Sequence, residues 1–283
     1  MPLFSMLKRN SKLALEGSWG RAILVLLIPS ACAALLSALG AGANLLALGL
    51  REPARSRGLA GALLEVSLPS LAVVALLMAL GLLLLAPLRL GVSYWFFCLV
   101  HGRSLPVRSV FRWYAGPRRY ASAVGYAVHI AARSYFWALL FLLVPLTLTA
   151  SSLRLLSVGE SRTVMAFGTV GLSIAAVLTL LSEVLCTIFL GRYFLAAYLL
   201  CGEEEPSIRA AFRSSMEYTR GHCFSFFLYT LSFLGWLLLS VLTCGLAALF
   251  TAPYLAASCA MYGRYLIEQS HGESPDSTRE FVM

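Results

Sequence analysis

The sequence predicts an all-α polytopic membrane protein with six transmembrane helices arranged as three hairpins. Each hairpin is preceded by a cytoplasmic amphipathic helix lying in the interface, and both termini are inside. Three observations carry this prediction: the composition, the long apolar runs, and the one-sided placement of arginine. Of 283 residues, 59% are hydrophobic and 12% charged, with a mean hydropathy of +0.81. A soluble globule carries roughly 25% charged residues, so this chain cannot coat itself for water. The net charge of +9 would point to nucleic acid in a soluble protein. Here every one of the 22 basic residues except Lys8 and Lys12 is an arginine, and they flank apolar runs. Orientation and contact with lipid headgroups explain that placement better than nucleic acid does. The seven cysteines stand singly in apolar runs, with no CxxC, and read as small buried hydrophobes.

A spanning helix needs about 20 apolar residues to cross a core of about 30 Å. The segments that meet or approach this are Ala22 to Leu50, Leu68 to Val100, Tyr135 to Ala150, Val164 to Leu200, Phe224 to about Thr243, and about Leu246 to Ile267. The first is preceded by a long basic stretch and followed by further apolar spans, so it reads as an uncleaved membrane helix rather than a signal peptide. Leu68 to Val100 would run roughly 50 Å as a helix, so it must tilt, bend at Pro87 or continue into water. The third segment is short. The last two share one apolar run, with a turn expected at Thr243-Cys244-Gly245 and a kink at Pro253. The chain from Gln269 to Met283 reads as a disordered cytoplasmic tail after a single membrane domain spanning 1–268.

With the N-terminus inside, the cytoplasmic segments hold Lys8, Arg9, Lys12 and Arg21, then six arginines from Arg103 to Arg133, then Arg209, Arg213 and Arg220, then Arg264 and Arg279. The outside segments hold only Arg51, Arg55, Arg57, Arg154 and Arg162. This bias fixes the orientation and places the chain as a multi-pass protein of the cytoplasmic membrane.

An internal echo divides the chain at about 1–101, 102–201 and 202–268. Leu90-Gly91 returns as Leu190-Gly191, Gly102 as Gly202, and Pro106 as Pro206. After each proline comes an amphipathic pattern. Val107, Val110, Phe111 and Tyr114 oppose Arg108 and Arg112, and Ile208, Ala211, Phe212 and Ser215 or Met216 oppose Arg209 and Arg213. Such spacing suits a helix in the interface with its arginines among phosphates, or equally a helix covering the cytoplasmic ends of the bundle. Leu3 to Leu15 is the third copy. Gly17-Ser18-Trp19 and Gly221-His222-Cys223-Phe224 then lead into spans, each glycine permitting the change of direction. In the middle copy Gly125 and Tyr126, or Phe136 and Trp137, are the candidate counterparts.

The chain resembles a bacterial membrane-protein family known only as domain of unknown function nine-seven-five. The matching residues are Leu7-Lys8 through Gly17-Ser18-Trp19-Gly20-Arg21-Ala22 and the string from Ala211 to Tyr262. That string includes Ser215, Arg220-Gly221-His222, Leu231 to Trp236, Leu242 to Gly245, Pro253-Tyr254 and Met261-Tyr262. The resemblance implies a membrane fold and no established activity. Where the family pattern implies a proline and a kink near the end of the fourth span, this chain has Phe189-Leu190-Gly191-Arg192-Tyr193.

Candidate chemistry is sparse. Glu183 stands near the middle of an apolar run, where a charged side chain costs a few kcal/mol at least, so it needs a partner, a wet cavity or a proton. It reads either as an ion or proton site or as a packing carboxyl paired with serines or with Arg89. Arg89 and Arg192 occupy neighbouring places in the echo, and both are expected to snorkel. Arg108, Arg112, Arg209 and Arg213 are the candidate headgroup contacts. The four histidines lack ligand spacing, so no metal is expected. No phosphate loop, nucleophile elbow or dinucleotide fingerprint is present, so no cofactor is expected. Glu203-Glu204-Glu205 reads as a helix-opening run. Gly168, Gly171 and Ala175 read as packing residues. The expected function is therefore non-enzymatic, as a membrane scaffold, accessory subunit or lipid-interacting protein partnered by the bilayer and its anionic headgroups. The alternative is a small transporter or lipid translocator using Glu183 as its coupling carboxylate.

Overall fold

The computed structural model describes residues 2–49, 68–158, 161–202, 206–270 and 272. The expected basic outer loop at 51–57, the acidic triplet at 203–205 and the tail beyond 272 lie outside the described residues. Among those described, all regular structure is helical. The helices are α1 (Pro2–Leu15), α2 (Trp19–Gly49), α3 (Leu68–Val100), α4 (Pro117–Val158), α5 (Arg162–Leu190), α6 (Leu195–Leu200), α7 (Ile208–Tyr218), α8 (Cys223–Leu231), α9 (Leu234–Leu242) and α10 (Ala248–Ser270). Short 3-10 stretches occupy Val107–Tyr114 and Gly191–Tyr193. Among the described residues, five stretches are long and apolar enough to cross a membrane: Trp19–Gly42, Ala75–Val100, Pro117–Ser157, Arg162–Leu200 and Cys223–Leu242. The short third segment of the sequence is the apolar part of a longer helix, α4, which begins in the basic stretch around Arg118.

The chain divides into two compact units. The first comprises Met1–Ala33, Leu82–Ile130 and Gly191–Met283. In it α1 packs along α10, burying Leu7, Ser11 and Leu15 at helical spacing. Buried Trp95, Phe96, Tyr229, Phe233 and Tyr262 fill the core, with Phe194 stacked on Phe226 at 4.0 Å and Tyr229 on Tyr262 at 5.1 Å. Gly17 (φ 71°) and Gly221 (φ 83°) are left-handed, as a sharp exit from α1 and from α7 requires. Gly125 lies inside α4 instead. A helical glycine makes no corner, so it is not the counterpart in the middle copy.

Two helix breaks have local causes. At Gly191–Tyr193 the chain tightens to a 3-10 turn without a proline. The hydroxyls of Ser215 and Thr219 donate to the Arg192 carbonyl at 2.8 and 3.3 Å, supplying partners at the break. The fifth apolar run, read as one span, is interrupted at Ser232–Phe233 between α8 and α9. The turn expected at Thr243-Cys244-Gly245 is present, with φ of 50° at Cys244 and 90° at Gly245. Cys244 is exposed there, unlike buried Cys98, Cys186 and Cys201. α10, expected as a sixth span, is buried along much of its length and carries Arg264 and Glu268, which dilute its apolar character.

The second unit comprises Ala34–Gly81 and Ala131–Leu190. Along α5, Gly168, Ala175, Ser182 and Cys186 form one buried stripe against α4. A β-carbon added to Gly171 would lie 2.4 Å from Ser152 Oγ, and one at Gly168 would lie 2.7 Å from Leu156 Cγ. Small residues thus bring these helices together, as the sequence indicated. Ser182 Oγ donates to the Phe141 carbonyl at 2.8 Å.

Candidate functional site: a basic cleft at the end of α3

The last turns of α3 present Tyr94, Phe97, Cys98 and His101 at i, i+3, i+4 and i+7, on one helix face. The helix ends in a Schellman turn. Gly102 adopts φ 75°, its N–H donates to the Leu99 carbonyl at 3.0 Å, and the Arg103 N–H returns to the Cys98 carbonyl at 2.9 Å. This folds Arg103 back over the helix end. Trp95 Nε1 donates to the Leu105 carbonyl at 3.1 Å and ties down the connector that follows.

The connector leads into the 3-10 stretch Val107–Tyr114. Its three-residue period turns Val110 and Trp113 inward and leaves Phe111 and Tyr114 exposed. The α-helical spacing read from the sequence had placed Phe111 and Tyr114 on the apolar face, and the tighter winding moves that face to Trp113. The 3-10 stretch lies against α3 so closely that a β-carbon on Gly91 would sit 1.9 Å from the Val110 carbonyl oxygen. Arg112 is thereby held over Tyr94, its guanidinium carbon 4.5 Å from the ring centroid.

Together these residues line a cleft of about 520 Å³, completed by Cys201 and Gly202. Cys201 Sγ approaches the Leu90 carbonyl at 3.7 Å. His101 is half-buried, with Nδ1 2.7 Å from the Phe97 carbonyl. Burial pushes its pKa below the ordinary 6.5. The Phe97 carbonyl opposes that shift, Arg264 adds to it, Glu268 opposes it and Arg103 adds to it. The ring is therefore neutral at pH 7, with Nδ1–H donating to Phe97 and Nε2 left as an acceptor. A neighbouring cleft of about 320 Å³ shares Arg103 and includes Asn10, Glu16, Ser18 and Arg264. Arg264 is buried, bonded through Nε to Glu268 and through Nη1 to the Val100 carbonyl at 2.7 Å.

Of the residues singled out in the sequence, Arg112 joins this cleft. Arg108, Arg209 and Arg213 are exposed. On α7 the opposite face, Ala211, Phe212 and Ser215, is buried against protein, with Phe212 5.5 Å from the Tyr126 ring and 5.9 Å from that of Tyr193. That is the arrangement of a helix covering other helices. Arg89 is exposed beside a small cleft of about 240 Å³ containing Pro29 and Ser30. The Arg192 side chain is exposed. Glu183, in the second unit, stands on the exposed side of α5 among exposed Leu180, Leu181 and Val184. Sequence reasoning did not assemble Tyr94, His101, Arg103 and Cys201. The readable signal was the one-face spacing from Tyr94 to His101 followed by a glycine that turns an arginine back.

The chain matches the family model described as a protein of unknown function, DUF975, across residues 4–270, and it belongs to that family. No curated protein and no solved structure matches it.

Proposed function

We propose that this DUF975 member is a non-enzymatic integral membrane protein of the bacterial cytoplasmic membrane that engages anionic phospholipid headgroups through its cytoplasmic face. The reading takes α10 as a sixth span beside the five apolar stretches, pairs the spans as three hairpins, and keeps both termini inside. The observation that carries it is the exposure of Arg108, Arg209 and Arg213 on segments whose other sides are buried in protein. Arginines so placed at the ends of spans meet lipid phosphates, each contributing about 1 kcal/mol near an anionic surface. The transport alternative needs Glu183 in a wet cavity. Its place on the exposed side of α5 favours the headgroup reading instead.

The test is quenching of tryptophan fluorescence by brominated lipids in proteoliposomes. The expected result is a preference for brominated phosphatidylglycerol over brominated phosphatidylcholine that weakens with salt and declines when Arg108, Arg209 and Arg213 are changed together to Gln. Equal quenching by both lipids at low salt would overturn the reading.

A further inference from the structure

We propose that the cleft between Tyr94, His101, Arg103 and Arg112 is a binding site for one anionic phosphate group, supplied by a lipid headgroup or by a soluble phosphate. This deepens the headgroup reading and rests on it only for the lipid source. Diffuse attraction of exposed arginines needs no pocket, whereas this site holds one ligand per chain.

Two guanidinium groups reach the cleft from separate elements, Arg103 from the Schellman turn and Arg112 from the 3-10 stretch. A guanidinium fork matches phosphate oxygens in a bidentate manner. Contact with the Tyr94 ring and the turn at Gly102 orient both arginines in advance, which lowers the ordering cost of binding. The His101 Nε2 position suits the hydroxyl of a protonated phosphate. At about 520 Å³ the cleft exceeds what a bare phosphate fills and falls within the usual range for small-ligand sites. The surplus fits a glycerol against Phe97. The cleft opens where the apolar stretch Ala75–Val100 ends, the level at which headgroup phosphates lie.

The experiment is native mass spectrometry of the full chain, delipidated in detergent and titrated with phosphatidylglycerol or phosphatidylcholine. A second arm measures thermal unfolding with inorganic phosphate against chloride at equal ionic strength. The expected result is one phosphatidylglycerol per chain, weakened about tenfold or more in Arg103→Gln and in Arg112→Gln and unchanged in Arg162→Gln, which belongs to the second unit. Should only the soluble arm respond, with phosphate raising the melting temperature of the unaltered protein but not of the two variants, the site stands and its source is soluble phosphate. If Arg112→Gln does not fold, Arg103→Gln decides. Wild-type-like responses of Arg103→Gln in both arms overturn the site. They leave the headgroup reading intact if the triple change at Arg108, Arg209 and Arg213 still lowers the preference for the anionic lipid. Absence of any response in the unaltered protein overturns the site as well.

Discussion

Lys8 Nζ donates to the Ser232 carbonyl oxygen at 3.1 Å and lies 4.3 Å from the centroid of the Phe233 ring. One lysine of α1 thus meets both residues at which the fifth apolar run breaks between α8 and α9. A helix break frees carbonyls that an apolar setting cannot satisfy, and an ammonium group is a strong partner for one of them. The adjacent Lys12 sits 5.3 Å from the Tyr254 ring centroid. Part of the basic character of α1 is thus spent inside the protein.

Changing Lys8 to Met should therefore lower stability by about 1 kcal/mol, through loss of the bond to Ser232 and of the cation–π contact. Chemical unfolding of the purified protein in mixed micelles measures this. An unchanged midpoint would show that the contact contributes nothing to stability.

Gly91 and Gly191 are equivalent in the sequence echo but not in their surroundings. A β-carbon on Gly91 would meet the Val110 carbonyl oxygen at 1.9 Å, whereas on Gly191 it would make an ordinary 3.6 Å contact with Phe226. Gly91→Ala should cost about 1 to 3 kcal/mol and displace the 3-10 stretch that carries Arg112. Gly191→Ala should be near neutral. Comparing the two melting temperatures tests this, and equal values would contradict it.

That pair also shows what the sequence made legible. Apolar length and arginine placement reveal helices, because lipid demands long runs and the interface demands charge at their ends. They also located the turn at Cys244 and the corner glycines 17 and 221, where left-handed backbone selects residue type. The break at Ser232 was not legible, since no proline or charge marks it and its partner Lys8 is far away in the chain. The cleft was hidden for a related reason. Its walls come from residues 94–103, 112 and 201–202, and the local pattern around Arg112 reads as an α-helix when the chain takes the tighter 3-10 winding.

His101 gives the protein a pH dependence whose sign follows from its lowered pKa. Between the folded pKa and about 6.5 the unfolded chain binds the proton and the folded chain does not, so stability falls as pH falls through that window. Its stabilising contribution is complete above about 6.5. Arg103, Arg264 and Glu268 are the charged groups that act on it. His101→Asn keeps a donor for the Phe97 carbonyl but cannot titrate. Melting temperatures from pH 7.5 to 5 should therefore fall less in the variant. Parallel curves would remove His101 as the cause.

Glu183 offers the sharpest contrast between solvent and lipid. Its side chain is exposed on α5, and Leu180 and Leu181 beside it are 69% and 55% exposed. It lies inside the apolar stretch Arg162–Leu200, seven positions before α5 ends at Leu190, roughly 10 Å along the helix at 1.5 Å per residue. In the proposed membrane arrangement this stretch spans the hydrocarbon core and the exposed side of α5 faces lipid. A carboxyl group there costs free energy that leucine does not. Glu183→Leu should therefore raise stability in a bilayer by about 1 kcal/mol or more while changing it little in a wet micelle, where water reaches the same surface. Unfolding measured in both environments decides the matter. A loss of stability confined to the bilayer would mean that the carboxyl group has a partner within the membrane, and the lipid-facing assignment of this side of α5 would fall.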